Sequence, residues 1–138
     1  MSASPSCEVS SRSLASAILP VTRRAGYTDR AASIVAPAVE ALMRGSNPPD
    51  AILAGNDRVA MEGYAALRRL GPRIADGIAV ASFDNQVDIA TRLDPPLTTM
   101  ALPHRAMGRI AAETLLGDTP AWEVVRKLPF RLVERTSV

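Results

Sequence analysis

A chain of 138 residues that is 47% hydrophobic and 22% charged has the size and composition of one ordinary globular domain, which excludes wholesale disorder and collagen-like repeats. No stretch approaches the ~18 consecutive apolar residues of a membrane span, so a soluble protein without a membrane partner is expected. The net charge of +2 resides near the start: residues 1–28 hold Arg12, Arg23 and Arg24 against Glu8, while residues 29–138 balance 13 basic with 13 acidic side chains.

That balance leaves no basic stripe of the kind that tracks phosphates, so direct DNA binding by these residues is not expected. A single cysteine, Cys7, excludes an internal disulfide framework and any multi-cysteine metal site, and a single histidine, His104, excludes sites built from several histidines. Aromatic residues make up only 4%, too few for base-stacking platforms.

Residues 1–26 read as a leader of uncertain structure. Seven serines fall in the first 16 residues, and the apolar run Leu14–Val21 is interrupted by Ser16 and Pro20. It lacks the basic flank and cleavage site of a secretory signal; a flexible leader or an organellar transit peptide are the alternatives. From residue 27 the texture is regular. Thr28 or Asp29 can cap a helix carrying Ile34, Val35, Ala38, Val39, Leu42 and Met43 at helical spacing, with a kink or late start at Pro37 and an end at Gly45.

Ala51–Ala54 is a buried-type strand. Asn56-Asp57 then opens a helix from Arg58 to Leu70, closed by Gly71-Pro72. Ile78–Phe83 is a second buried strand followed by Asp84-Asn85-Gln86, and a short helix over Val87–Leu93 gives way to Asp94-Pro95-Pro96. Leu97–Met100 is a third strand. Pro103 suits the first turn of a helix with Met107, Ile110, Ala111 and Leu115 on one face, ending at Gly117. The tail from Val124 reads as two short strands broken at Pro129. Strands alternating with helices predict an α/β fold with a mostly parallel open sheet flanked by helices, residues 27–138 forming one domain.

Enzyme templates fail. There is no Gly-rich phosphate loop, the only lysine is Lys127, and a Cys7–His104 pair would have to bridge leader and domain. No catalytic residue, cofactor or metal is implied. The informative feature is polar residues just past strand carboxyl ends, where open parallel sheets bind ligands. Asn56-Asp57 and Asp84-Asn85 both occupy such positions, and their donors and acceptors suit hydroxyl-rich or amide-bearing ligands. For Asp57 an N-cap role competes with ligand binding. Asp84 has no evident capping duty, which favours a binding role.

These segments carry a resemblance. Pro49 to Gly63, centred on Ala54-Gly55-Asn56-Asp57, resembles the strand–Asn-Asp–helix signature of the lactose-repressor (LacI/GalR) family of transcription regulators. Ile78 to Asn85 is similar to that family's next strand with its terminal aromatic-Asp. Asp94-Pro95-Pro96-Leu97-Thr98-Thr99-Met100, the Gly108 helix and Leu132-Val133-Glu134-Arg135 follow in the family's order. The likeness is to the C-terminal part of the family's periplasmic-binding-protein-like effector domain, without the helix-turn-helix DNA reader or the first effector subdomain.

The resemblance implies a small-molecule effector, sugar or nucleobase-like, bound by Asn56 and Asp84. Stacking by Tyr27 and contact by Arg23, within Arg23-Arg24-Ala25-Gly26-Tyr27, are the two alternatives for a further ligand contact. It also implies a cytoplasmic location and a homodimer using Met61, Tyr64 and Ala65 of the helix after Asn-Asp. The Pro103–Gly117 helix is expected to cross back towards the first subdomain and to lack a partner here. DNA contact would come only through a helix-turn-helix domain absent from these residues. Leu102 stands where the family often has Gln, and Asn85 where a second Asp is usual. A periplasmic-type sugar-binding module and a truncated, non-functional regulator remnant are the alternatives.

Overall fold

A computed structural model describes residues 17–18, 31–117 and 125–138. Among the described residues, five strands lie in the order β1-β2-β3-β4-β5: β1 (Ala17–Ile18), β2 (Ala51–Leu53), β3 (Ala79–Asp84), β4 (Thr98–Ala101) and β5 (Arg131–Val133). The first four are mutually parallel, with Ile52 beside Val80 and Ser82 beside Thr99, and β5 runs antiparallel to β4. Four described helices accompany them: α1 (Ala31–Arg44), α2 (Asp57–Leu70), α3 (Val87–Ala90) and α4 (His104–Leu116). Strand–helix alternation thus gives the expected mostly parallel α/β sheet.

The sheet begins earlier than the sequence reading placed the domain. Ala17 and Ile18, from the Leu14–Val21 run within the stretch read as a leader, pair with Ile52 and Leu53. The residues expected to cap α1, Thr28 and Asp29, lie outside the described residues. Pro37 sits within α1, which spans both sides of it without ending there.

One layer of the core is legible from alternation along the strands. Ile52, Ala54, Val80 and Ser82 are buried, whereas Leu53 is exposed. Against them pack Val35 and Val39 of α1 and Val59, Ala60, Tyr64 and Leu67 of α2, positions spaced by three or four residues. Gly71 ends α2 at φ 101°, a left-handed conformation that a side chain would strain, and its N–H donates to the Leu67 carbonyl at 3.0 Å.

Tyr64 is 1% exposed, and its hydroxyl donates to the Pro95 carbonyl at 3.1 Å. Burial raises its pKa above the ordinary 10.0, a shift opposed by Ser137 and Arg68. This corrects the expectation that Tyr64 lies in a subunit interface: it faces the core, because the 60–64–67 stripe points at the sheet. Met61 and Ala65 face outwards.

One further expectation changes at the far end of the chain. A single strand, β5, replaces the two expected around Pro129, since residues 125–130 form none and Val125 is almost fully exposed. The α4 helix forms as expected, none of its residues is buried, and Met107 and Leu115 are 45% and 79% exposed. Among the described residues, no helix is long and apolar enough to cross a membrane.

The tail after β5 locks the middle of the sheet. Ser137 is fully buried; its Oγ donates to the Val80 carbonyl at 2.6 Å and accepts from Thr98 N at 2.8 Å, while its carbonyl accepts from Val80 N at 2.8 Å.

Candidate functional site

Parallel strands that end together create a rim, and here the carboxyl ends of β2, β3 and β4 lead into Asn56, Asp84-Asn85-Gln86 and Leu102 respectively. Asn56 is buried in an extended conformation, and its Oδ1 accepts the Val59 N–H at 3.0 Å. That is the N-cap of α2. The capping duty weighed for Asp57 therefore falls to Asn56, whose amide oxygen is committed to it.

Asp57 takes a different position, in the first turn of α2 and 0% exposed. Register explains what it does there. Ser82 and Thr99 are direct neighbours across β3 and β4, so two hydroxyls stand side by side on buried positions. Both donate to Asp57 Oδ1, Thr99 Oγ1 at 2.8 Å and Ser82 Oγ at short range. Asp57 Oδ2 accepts the Gln86 backbone N–H at 2.6 Å. One carboxylate thus satisfies three donors, the condition under which a buried charged group is tolerated.

Asp84 and Asn85 have φ of 103° and 51°. Two successive non-glycine residues in this region are strained, at a cost of roughly 1–3 kcal/mol each, and such strain concentrates at functional sites. The turn is held on several sides. Asn85 N donates to Thr99 Oγ1 at 3.3 Å, and Asn85 Oδ1 accepts from Arg135 Nη2 at 2.7 Å. Arg135 Nη1 also donates to the Leu97 carbonyl at 2.6 Å. The Asp84 carboxylate, half-buried at the rim, accepts from Gln86 Nε2 at 3.2 Å.

Beyond β4, Leu102, Pro103, His104, Arg105, Ala106 and Arg109 line an open depression of about 810 Å³. Leu102 directly follows Ala101, the strand partner of Asp84.

Of the four residues singled out for ligand contact, Asn56 and Asp84 stand at the ends of adjacent strands, whereas Tyr27 and Arg23 lie outside the described residues. Sequence reasoning missed Ser82, Gln86, Thr99 and Arg135. Ser82 and Thr99 gave one visible signal, hydroxyls inside apolar strands, and Gln86 and Arg135 gave none.

Comparison with known proteins follows the same lines. The sequence model of a family described as periplasmic binding protein-like domain matches residues 8–138. The chain is 40% identical over 88 residues to the sucrose operon repressor of Shigella flexneri, covering 64% of this chain and 26% of that one. It is 41% identical over 68 residues to the lactose operon repressor of Rhizobium radiobacter, covering 49% and 59%. A crystal structure of a LacI family transcriptional regulator from Bifidobacterium animalis subsp. lactis superposes with a TM-score of 0.69 at 27% identity, covering 83% of this chain and 42% of that one. The chain therefore spans less than two thirds of each of these relatives.

Proposed function

Because the chain belongs to the periplasmic binding protein-like domain family, we propose that it is the effector-sensing part of a LacI/GalR-type transcription regulator. The observation that carries this reading is the strained Asp84–Asn85 turn at the end of β3, beside Asn56 at the end of β2. Strain of this kind is retained where it aims a side chain, and Asp84 is the carboxylate it aims. A half-buried carboxylate accepts hydroxyl hydrogen bonds strongly, which suits sugars or the N–H edges of nucleobases. Similarity to the sucrose and lactose operon repressors supports the sugar class.

In this reading Asp84 and Asn56 contact the effector, with Tyr27 or Arg23 contributing from the preceding segment. The domain performs no catalysis and acts in the cytoplasm. Self-association uses the outward face of α2 at Met61 and Ala65, and DNA contact belongs to a helix-turn-helix segment. Titration calorimetry of sucrose, lactose, ribose and free nucleobases tests it. Asp84→Ala is expected to weaken binding by roughly ten- to a hundredfold, the worth of one charge-assisted hydrogen bond. Binding by the unaltered chain that Asp84→Ala leaves unchanged refutes the site, and binding of no panel member favours the remnant alternative.

A further inference from the structure

The effector reading uses Asp84 and Asn56 but gives Asp57 no part, although Asp57 is the fully buried carboxylate among these groups. Its bonds converge on the strained turn. Oδ2 accepts the Gln86 N–H directly at 2.6 Å. Oδ1 accepts from Thr99 Oγ1, and that same hydroxyl oxygen accepts the Asn85 N–H at 3.3 Å. The two backbone N–H groups that follow Asp84 are therefore both tied to one carboxylate, one directly and one through Thr99. Arg135 holds Asn85 Oδ1 from the tail, and Gln86 Nε2 donates to Asp84 Oδ2.

Asp57 also immediately follows Asn56, the cap of α2, so the two rim positions share one anchor. A strained backbone persists only where its surroundings over-determine it. Here the over-determination comes from a side chain 27 residues earlier in the sequence.

We propose that Asp57 is a positioning residue for the effector site: its buried carboxylate, steadied by Ser82 and Thr99, pins the Asn85 and Gln86 N–H groups and so sets the left-handed turn that presents Asp84 at the rim. The effect on binding rests on the sensing role proposed above; the effect on the turn does not. A residue that only stabilised the domain would raise the exchange of every core amide together, whereas a positioning residue acts on the turn first.

The test is amide hydrogen exchange by NMR on the full chain, read at Asn85 and Gln86 against Val80 in β3, for the unaltered protein, Asp57→Ala and Thr99→Val. Valine matches threonine in shape and suits a strand, so Thr99→Val keeps the test available if Asp57→Ala does not fold. Relative to Val80, exchange is expected to rise about tenfold or more at Gln86 in Asp57→Ala and at Asn85 in Thr99→Val. Exchange at the turn that follows Val80 within about twofold in the folded variants overturns the proposal.

Calorimetry with the sucrose, lactose and ribose panel adds the second arm. Asp57→Ala is expected to weaken binding about as much as Asp84→Ala, with the double variant no weaker than either, since both remove the same presented carboxylate. Losses that multiply in the double variant refute positioning. If the unaltered protein binds neither these sugars nor the free nucleobases, the sensing role fails and the exchange ratio alone decides whether Asp57 sets the turn.

Discussion

Replacing Asp57 with alanine is the sharpest probe of how this domain is held together. Ser82 and Thr99 are essentially sealed from water, so both hydroxyls lose their acceptor with no solvent to replace it. Gln86 is only half-buried, and its N–H can turn to water. A stranded buried donor costs about 1–3 kcal/mol. Two sealed hydroxyls and one rescued amide therefore amount to about 2–6 kcal/mol, less the desolvation cost that the unaltered carboxylate already bears. A net loss of about 3 kcal/mol, with a urea dependence of about 2 kcal/mol/M, lowers the unfolding midpoint by about 1.5 M. The assay is urea unfolding followed by far-ultraviolet circular dichroism at neutral pH. Asp76→Ala serves as the reference, because it removes only an exposed ion pair with Arg73 and should stay within about 0.5 kcal/mol of the parent. A midpoint for Asp57→Ala within about 0.3 M of that reference refutes this role for Asp57, since it would mean that the three bonds contribute almost nothing.

Tyr64 makes stability fall in alkali. Its folded pKa lies above 10.0 because burial disfavours the phenolate, so the unfolded chain deprotonates first and stability is lost as pH rises from about 10 towards the raised value; Tyr64→Phe should flatten the urea midpoint between pH 9 and 11, and a parallel fall in both proteins would exclude this origin. Asn56→Ala should cost about 1 kcal/mol through loss of the α2 cap, whereas Asn56→Ser should recover most of it, because serine caps nearly as well. Equal losses by thermal melting would show that the cap is not what matters. The amides of α4 should exchange much faster than those of Val80 and Ala54, since no α4 residue is buried; equal protection would reveal a packing partner.

Much of the architecture is written in short-range patterns. The apolar strands at Ile52 and Val80, the helical spacing of Val59, Ala60 and Leu67, and the stop at Gly71 each act within a few residues, so the α/β alternation and the rim positions of Asn56 and Asp84 are legible before any folding is considered. The division of labour between Asn56 and Asp57 is not. Both residue types cap helices, and the difference arises only because Asn56 is extended while Asp57 already lies inside α2, facing the sheet.

The same holds for the hydroxyls of Ser82 and Thr99, which become a pair only through β3–β4 register, and for Arg135, which reaches Asn85 across 50 positions of sequence. The two-residue strand at Ala17 becomes a strand only because β2 offers it a partner. Periodicity and capping are local and can be read along the chain. Buried hydrogen bonds and strand pairing are settled by which distant groups the fold brings to within 3 Å, because a buried donor must find its acceptor wherever the chain happens to return.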